Sequence, residues 1–150
     1  KSKNNINVTG IQSQKLNGTG AVFLIDSGKT GSTAPMVSIF MEKMKSQGFR
    51  KMISTQFIKH TNLCVDSFLN GDVKNLFDNT KKLSKIVLDN FKPMIPYEFH
   101  DLWKKGIESG SYFLKLCGSG GGGYILGFTP NIEQAKNDLK DYNLEVVYHF

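Results

Sequence analysis

Residues 115–123, Lys-Leu-Cys-Gly-Ser-Gly-Gly-Gly-Gly, constrain this chain more than any other stretch. The apolar run Tyr112–Leu116 leads into them and the apolar run Tyr124–Phe128 leads out. Of the six residues from 118 to 123, five are glycine. Each costs about 0.5–1 kcal/mol relative to alanine within regular structure, because glycine has the most backbone freedom to lose. A run of this kind serves backbone with positive φ, or backbone that must come closer to another group than a Cβ allows. Consecutive N–H groups in such a loop can also converge on an anion. A flexible linker is the alternative, and the β-type segments pressed against both ends argue against it. The two runs are therefore expected to form adjacent antiparallel strands joined by a functional loop.

The rest of the chain reads as helices and strands around that hairpin. Ala21–Ile25 is an apolar β run, followed by the turn residues Asp26–Gly31. Ser32 or Thr33 is expected to cap a first helix, with Pro35 in its first turn. Met36, Val37, Phe40, Met41 and Met44 form its apolar stripe, read as adaptable core, and Gly48 is its stop. A second helix spans Lys51–Asn70, with Ile53, Phe57, Ile58, Val65, Phe68 and Leu69 available for burial and a break expected near His60–Asn62. Gly71-Asp72 closes it and caps a third, whose stripe of Val73, Leu76, Phe77, Thr80, Leu83, Val87 and Leu88 is the cleanest helical period in the chain. Pro96 is expected in the first turn of a fourth helix that buries Phe99, Leu102, Trp103 and Ile107, and Gly106 and Gly110 mark its fraying end. Thr129 is read as the cap of a last helix with Pro130 at its first position, and Leu144–Phe150 alternates like a half-exposed strand. Ile6, Val8 and Ile11 suggest a weak edge strand within residues 1–14, and Leu16–Gly20 a turn. The fold class is α+β: an antiparallel sheet of about four strands with helices packed on one face, ferredoxin-like in its order.

Composition narrows the functional classes. At 150 residues the chain fits one domain, spanning 1–150, with a real core. No apolar run reaches the ~18 residues of a membrane span, and the polar first residues do not read as a signal peptide. The net charge of +6 is spread over polar helix positions, which favours anionic small molecules over a nucleic-acid partner. Cys64 and Cys117 read as two buried thiols of a cytoplasmic protein, and His60, His100 and His149 share no metal-ligand spacing with them.

The Lys115–Gly123 stretch, lying between two strands and after a run of helices, resembles the third signature motif of the GHMP kinases. Lys115, Gly118 and Gly120–Gly123 match that motif; Ser119 stands where alanine is usual, and Tyr124 where a smaller residue is common. Phe23–Thr33 looks like the strand and turn that open the C-terminal half of these enzymes. Among the members, the mevalonate kinases look nearest. The resemblance covers nearly all 150 residues, yet only half of such a kinase. The family's first motif and its Gly-Leu-Gly-Ser-Ser phosphate loop are absent, and its catalytic aspartate and lysine belong to the other half. Asp26, Asp66, Asp72 and Asp101 lie in no matching context, so no catalytic residue is assigned.

The resemblance implies an ATP-dependent kinase acting on an alcohol, with ATP and Mg2+ as cofactors in the intact enzyme and isoprenoid precursors among the family's substrates. It implies that Lys115, Gly118, Ser119, Gly120, Gly121, Gly122 and Gly123 neighbour the phosphates, and that Thr33 lies near the acceptor. The implied partner is an N-terminal GHMP half, in the same polypeptide or a separate chain, without which this chain is inactive; a homodimer is also open. The other reading is a non-catalytic ferredoxin-like module for ligand binding or dimerisation.

Overall fold

A computed structural model describes residues 10–15 and 17–150. The elements run β1 (Ala21–Asp26), α1 (Thr33–Lys43), α2 (Gln47–Met52), a π-helical turn (Ile53–Phe57), α3 (Ile58–Asn70) and α4 (Val73–Asn90). Two 3₁₀ turns (Lys92–Met94 and Tyr97–Phe99) lead into α5 (His100–Ser109), β2 (Phe113–Leu116), β3 (Tyr124–Thr129), α6 (Ile132–Asp138) and β4 (Leu144–His149). The strands form one antiparallel sheet in the order β2-β3-β1-β4, the ferredoxin-like arrangement expected from the sequence. Phe113 pairs with Phe128 and Leu116 with Ile125, so the two apolar runs around the glycines are adjacent strands.

Register sorts the two faces. Phe23, Ile25, Leu114 and Ile125 share one face and enter the main core with Phe49 and Met52 of α2, Ile86 and Val87 of α4, Trp103 of α5 and Ala135 of α6. Lys115, Leu126 and Phe128 lie on the opposite face, against α3 and the first half of α4. Trp103, only 1% exposed, donates its indole N–H to the Ser84 carbonyl at 2.9 Å and so ties α5 to α4. Opposite Gly127, the Phe23 ring fills the space a side chain would take: a Cβ there would sit 2.1 Å from Phe23 Cζ. Gly127→Ala is accordingly expected to cost about 1–3 kcal/mol by overpacking, read as a lower unfolding midpoint in urea.

Several local expectations are corrected. Gly48 does not stop the first helix; it lies inside α2. Ser46 starts α2 by accepting from the Phe49 N–H, and the Arg50 guanidinium takes the Met44 and Lys45 carbonyls at the end of α1. The irregularity in the next helix falls at the π turn, Ile53–Phe57, and not at His60–Asn62. Here Thr55 Oγ1 donates to the Lys51 carbonyl and Thr61 Oγ1 to the Phe57 carbonyl, local back-bonding that sequence periodicity does not register. The methionine stripe splits: Met36, Phe40 and Met44 pack on the core, while Val37 and Met41 are exposed. Ile58 and Val65 are likewise exposed. Pro96 precedes a 3₁₀ turn and does not enter α5. Gly106 is buried inside α5 because the Tyr112 ring lies on it, and Gly110, at φ 73°, ends the helix.

The last helix is capped by Asn131, whose side chain accepts from the Gln134 N–H, while Thr129 instead donates to the Ser111 carbonyl. Gly71, at φ 69°, and the Asp72 cap of α4 behave as expected. The Asn75 side chain and backbone N–H hold the Asp72 carboxyl below its usual range. Ile6 and Val8 of the suggested edge strand, and Leu16 of the suggested turn, lie outside the described residues. Residues 10–15 are not a strand, though the Lys15 N–H reaches the His149 carbonyl on β4. Cys64 and Cys117 are free and half-buried rather than buried.

Candidate functional site

The glycine loop connects β2 to β3 and is stitched into the fold on two sides. The Gly121 N–H donates to the Met94 carbonyl at 2.7 Å, which pins the loop to the first 3₁₀ turn. The Gly123 N–H donates to the Lys29 carbonyl at 2.7 Å, and the Ser27 N–H donates to the Gly123 carbonyl at 3.0 Å. The loop after β1 therefore lies alongside it. A Cβ on Gly120 would meet the Met94 carbonyl oxygen at 2.6 Å, and one on Gly122 would meet the Gly31 nitrogen at 2.8 Å. Gly120 and Gly121 are both at φ 79°, a conformation that a β-branched residue resists. Close approach and positive φ thus act together, and both belong to the sequence expectation.

Three donors of the expected N–H cradle are spent on the protein itself. Gly120, Gly121 and Gly123 already give their N–H groups to protein carbonyls. Gly118, Ser119 and Gly122 make no backbone bond of that kind among the described residues. The reason is packing: Met94 and Lys29 offer carbonyls at the distance a donor needs, and a Gly-rich backbone comes near enough to take them.

Thr33 meets this loop. It is the first residue of α1, and Ser32, at the N-cap position, makes no side-chain cap bond. Neither residue caps the helix as the sequence suggested. Instead the Ser119 hydroxyl donates to Thr33 Oγ1 at 3.4 Å, and Gly31 lies against the backbone of Gly120 and Gly122. Two positions that lie 86 residues apart in sequence thus become neighbours. Met36, one turn into α1, reaches Gly121 with its thioether.

Lys115, in β2, is on the opposite face from Leu116 and lines a cavity bounded by α3 and α4; it also borders a second cavity together with Leu116 and Gly118 of the loop. Lys29 is the basic residue whose backbone contacts the loop, and its ammonium pairs with Glu98 of the second 3₁₀ turn. That hydrogen bond from Lys29 holds the Glu98 carboxyl below the usual range. The pair escaped sequence reasoning because it spans 69 residues and belongs to no motif; Lys29 in a turn-rich loop was its only sign. Asp26 accepts from the Gly28 N–H at 2.9 Å, a turn contact.

Comparison with solved structures places the fold. The chain is similar to the crystal structure of Streptococcus pneumoniae phosphomevalonate kinase, with a TM-score of 0.62 and 15% identity. The match covers 86% of this chain and 39% of that one. A likeness at this identity carries the fold alone: the α+β architecture is shared with part of that kinase. The chain spans well under half the length of that kinase. No family model matches the chain, and no curated protein matches it. No helix among the described residues is long and apolar enough to cross a membrane.

Proposed function

We propose that this chain is the C-terminal half of an ATP-dependent small-molecule kinase of GHMP type, which transfers the γ-phosphate to an alcohol. The observation that carries the reading is the meeting of Thr33 with the glycine loop at Ser119, on a fold shared with a phosphomevalonate kinase. Phosphoryl transfer asks a protein chiefly for positioning and charge stabilisation. In this reading Gly118, Ser119 and Gly122 present N–H groups toward the phosphates, and Thr33 presents its hydroxyl near the acceptor. ATP fits such a wall as far as these donors go. The described residues contain no group of three or more His, Cys, Asp or Glu side chains able to hold a metal ion, so Mg2+ is not assigned to residues of this chain. The base and the phosphate loop are assigned to the N-terminal half, in cis or in trans.

The test supplies that half. The chain alone is expected to show no magnesium-dependent release of ADP from ATP with mevalonate as acceptor. A protein joining it to a half with a Gly-Leu-Gly-Ser-Ser loop, taken from the same gene or genome, is expected to turn over one small alcohol. Turnover by the 150-residue chain itself would defeat the split-half reading.

One observation favours a second reading. With Gly120, Gly121 and Gly123 bonded to protein carbonyls, half of the loop's N–H groups are satisfied without a ligand. A non-catalytic ferredoxin-like module, binding a ligand or dimerising, would need no more. Failure of every joined protein to transfer phosphate, with the loop still ordered, would favour it.

A further inference from the structure

A cavity of about 390 Å³ opens between α3, the first half of α4 and the sheet, and no residue of 118–123 lines it. That volume lies within the range of small-molecule sites, about 300–1,000 Å³. The sheet contributes Lys115, Leu126 and Phe128, all on one face by register. The helices contribute Cys64, Phe68 and Thr80.

The polar groups on its walls are unequal. The Thr61 hydroxyl donates to the Phe57 carbonyl at 2.8 Å, and the Thr80 hydroxyl to the Leu76 carbonyl at 2.7 Å. The Cys64 sulfur lies 3.6 Å from Thr80 Oγ1. Lys115 is half-buried and forms no ion pair among the described residues. A second apolar cavity, about 320 Å³ and lined by Phe57, Phe91, Leu116 and Gly118 of the loop, is bounded by the same lysine. Lys115, whose ammonium carries three donors, therefore lines both apolar spaces. Its charge is felt at Cys64 and Cys117, although burial outweighs it and pushes both thiols up.

A half-buried cation beside apolar walls gains from an anion that joins it there. A neutral apolar ligand would leave Lys115 unpaired, and a compact hydrophilic anion would leave Phe68, Leu126 and Phe128 without a partner. We propose that this cavity binds an amphiphilic anion, its unbranched apolar chain against Phe68, Leu126 and Phe128 and its carboxylate on Lys115 Nζ. The site is independent of the kinase reading and stands or falls without it.

The probes are decanoate, decan-1-ol and butyrate, each titrated into the protein below micellar concentration and followed by amide NMR. Decanoate saturably shifts the amides of Cys64, Phe68, Leu126 and Phe128, and binds at least about tenfold more tightly than either other probe, as expected of one charge-assisted hydrogen bond added to apolar burial. Lys115→Met, which keeps the aliphatic stem, abolishes the preference for decanoate over decan-1-ol and leaves decan-1-ol binding unchanged. In the unaltered protein, decanoate also slows alkylation of Cys64 more than that of Cys117, a readout that does not depend on the variant folding. Equal affinity for decanoate and decan-1-ol overturns the proposal, as do shifts confined to other surfaces. So does a dimer in sedimentation whose amides on this face ignore decanoate, since a second copy would then be the occupant.

Discussion

Gly121→Val, in a protein carrying both halves of the proposed kinase, is expected to lower kcat by about 100-fold or more. The position has φ 79°, and a Cβ there would sit 3.0 Å from Cγ and Sδ of Met36, so the new side chain pushes on the thioether. Valine resists that φ, so the loop relaxes away from Met94 and Thr33. Misplacement of reacting groups by about 1 Å is enough for a loss of that size. The fold survives better than the activity, because Met36 is a flexible, half-buried neighbour and not backbone. Two controls divide the causes. Gly123→Ala imposes a similar φ, 71°, with open space around the Cβ, and reports strain without intrusion. Ser119→Ala removes only a long hydroxyl contact to Thr33 and is expected to be nearly silent. Full activity in Gly121→Val would make the loop structural and end the case for a phosphate wall.

The second large effect is on stability. Trp103→Ala is expected to destabilise the protein by about 3–5 kcal/mol, the range for truncating a buried aromatic. The ring is 1% exposed and packs in the core between α5, α4 and the sheet, so its removal leaves a cavity as well as losing the bond to the Ser84 carbonyl. Total stabilities are about 5–15 kcal/mol, so the variant sits near the edge of folding and its Tm falls by roughly 10 °C. Trp103→Phe keeps most of the apolar area and loses chiefly the indole bond, with an expected cost nearer 1 kcal/mol for that bond. Urea unfolding of both variants checks the ordering. A loss under about 1 kcal/mol for Trp103→Ala would show that α5 is not anchored through this residue.

The strands and the hairpin were legible in the residues themselves. Ala21–Ile25, Tyr112–Leu116 and Tyr124–Phe128 are apolar runs too short for helices and bounded by turn residues, and burial in a sheet leaves such runs few alternatives. The α4 stripe and the Gly71-Asp72 junction were equally plain, since a glycine at φ 69° and a carboxylate cap act within a few residues of chain. The glycine run also announced its backbone: positive φ at Gly118 and Gly120–Gly123 is a local property that no other residue type would express so cheaply.

Tertiary structure decided which partners those local features met. Met94 and Lys29 supply the carbonyls that consume loop donors, and neither is near the loop in sequence. Ser46 rather than Gly48 sets the first helix boundary because the Arg50 side chain folds back onto the Met44 and Lys45 carbonyls. Gly106 reads as a helix breaker until the Tyr112 ring is seen to occupy the space of its missing side chain. Lys115 shows the same division most sharply. Its motif position beside the glycines is a fact of sequence, but the two-residue period of β2 turns it to the face away from Leu114 and Leu116, toward α3 and α4. Spacing along a chain specifies conformation over a few residues; which distant carbonyl, ring or cavity a side chain reaches is fixed only when the layers pack.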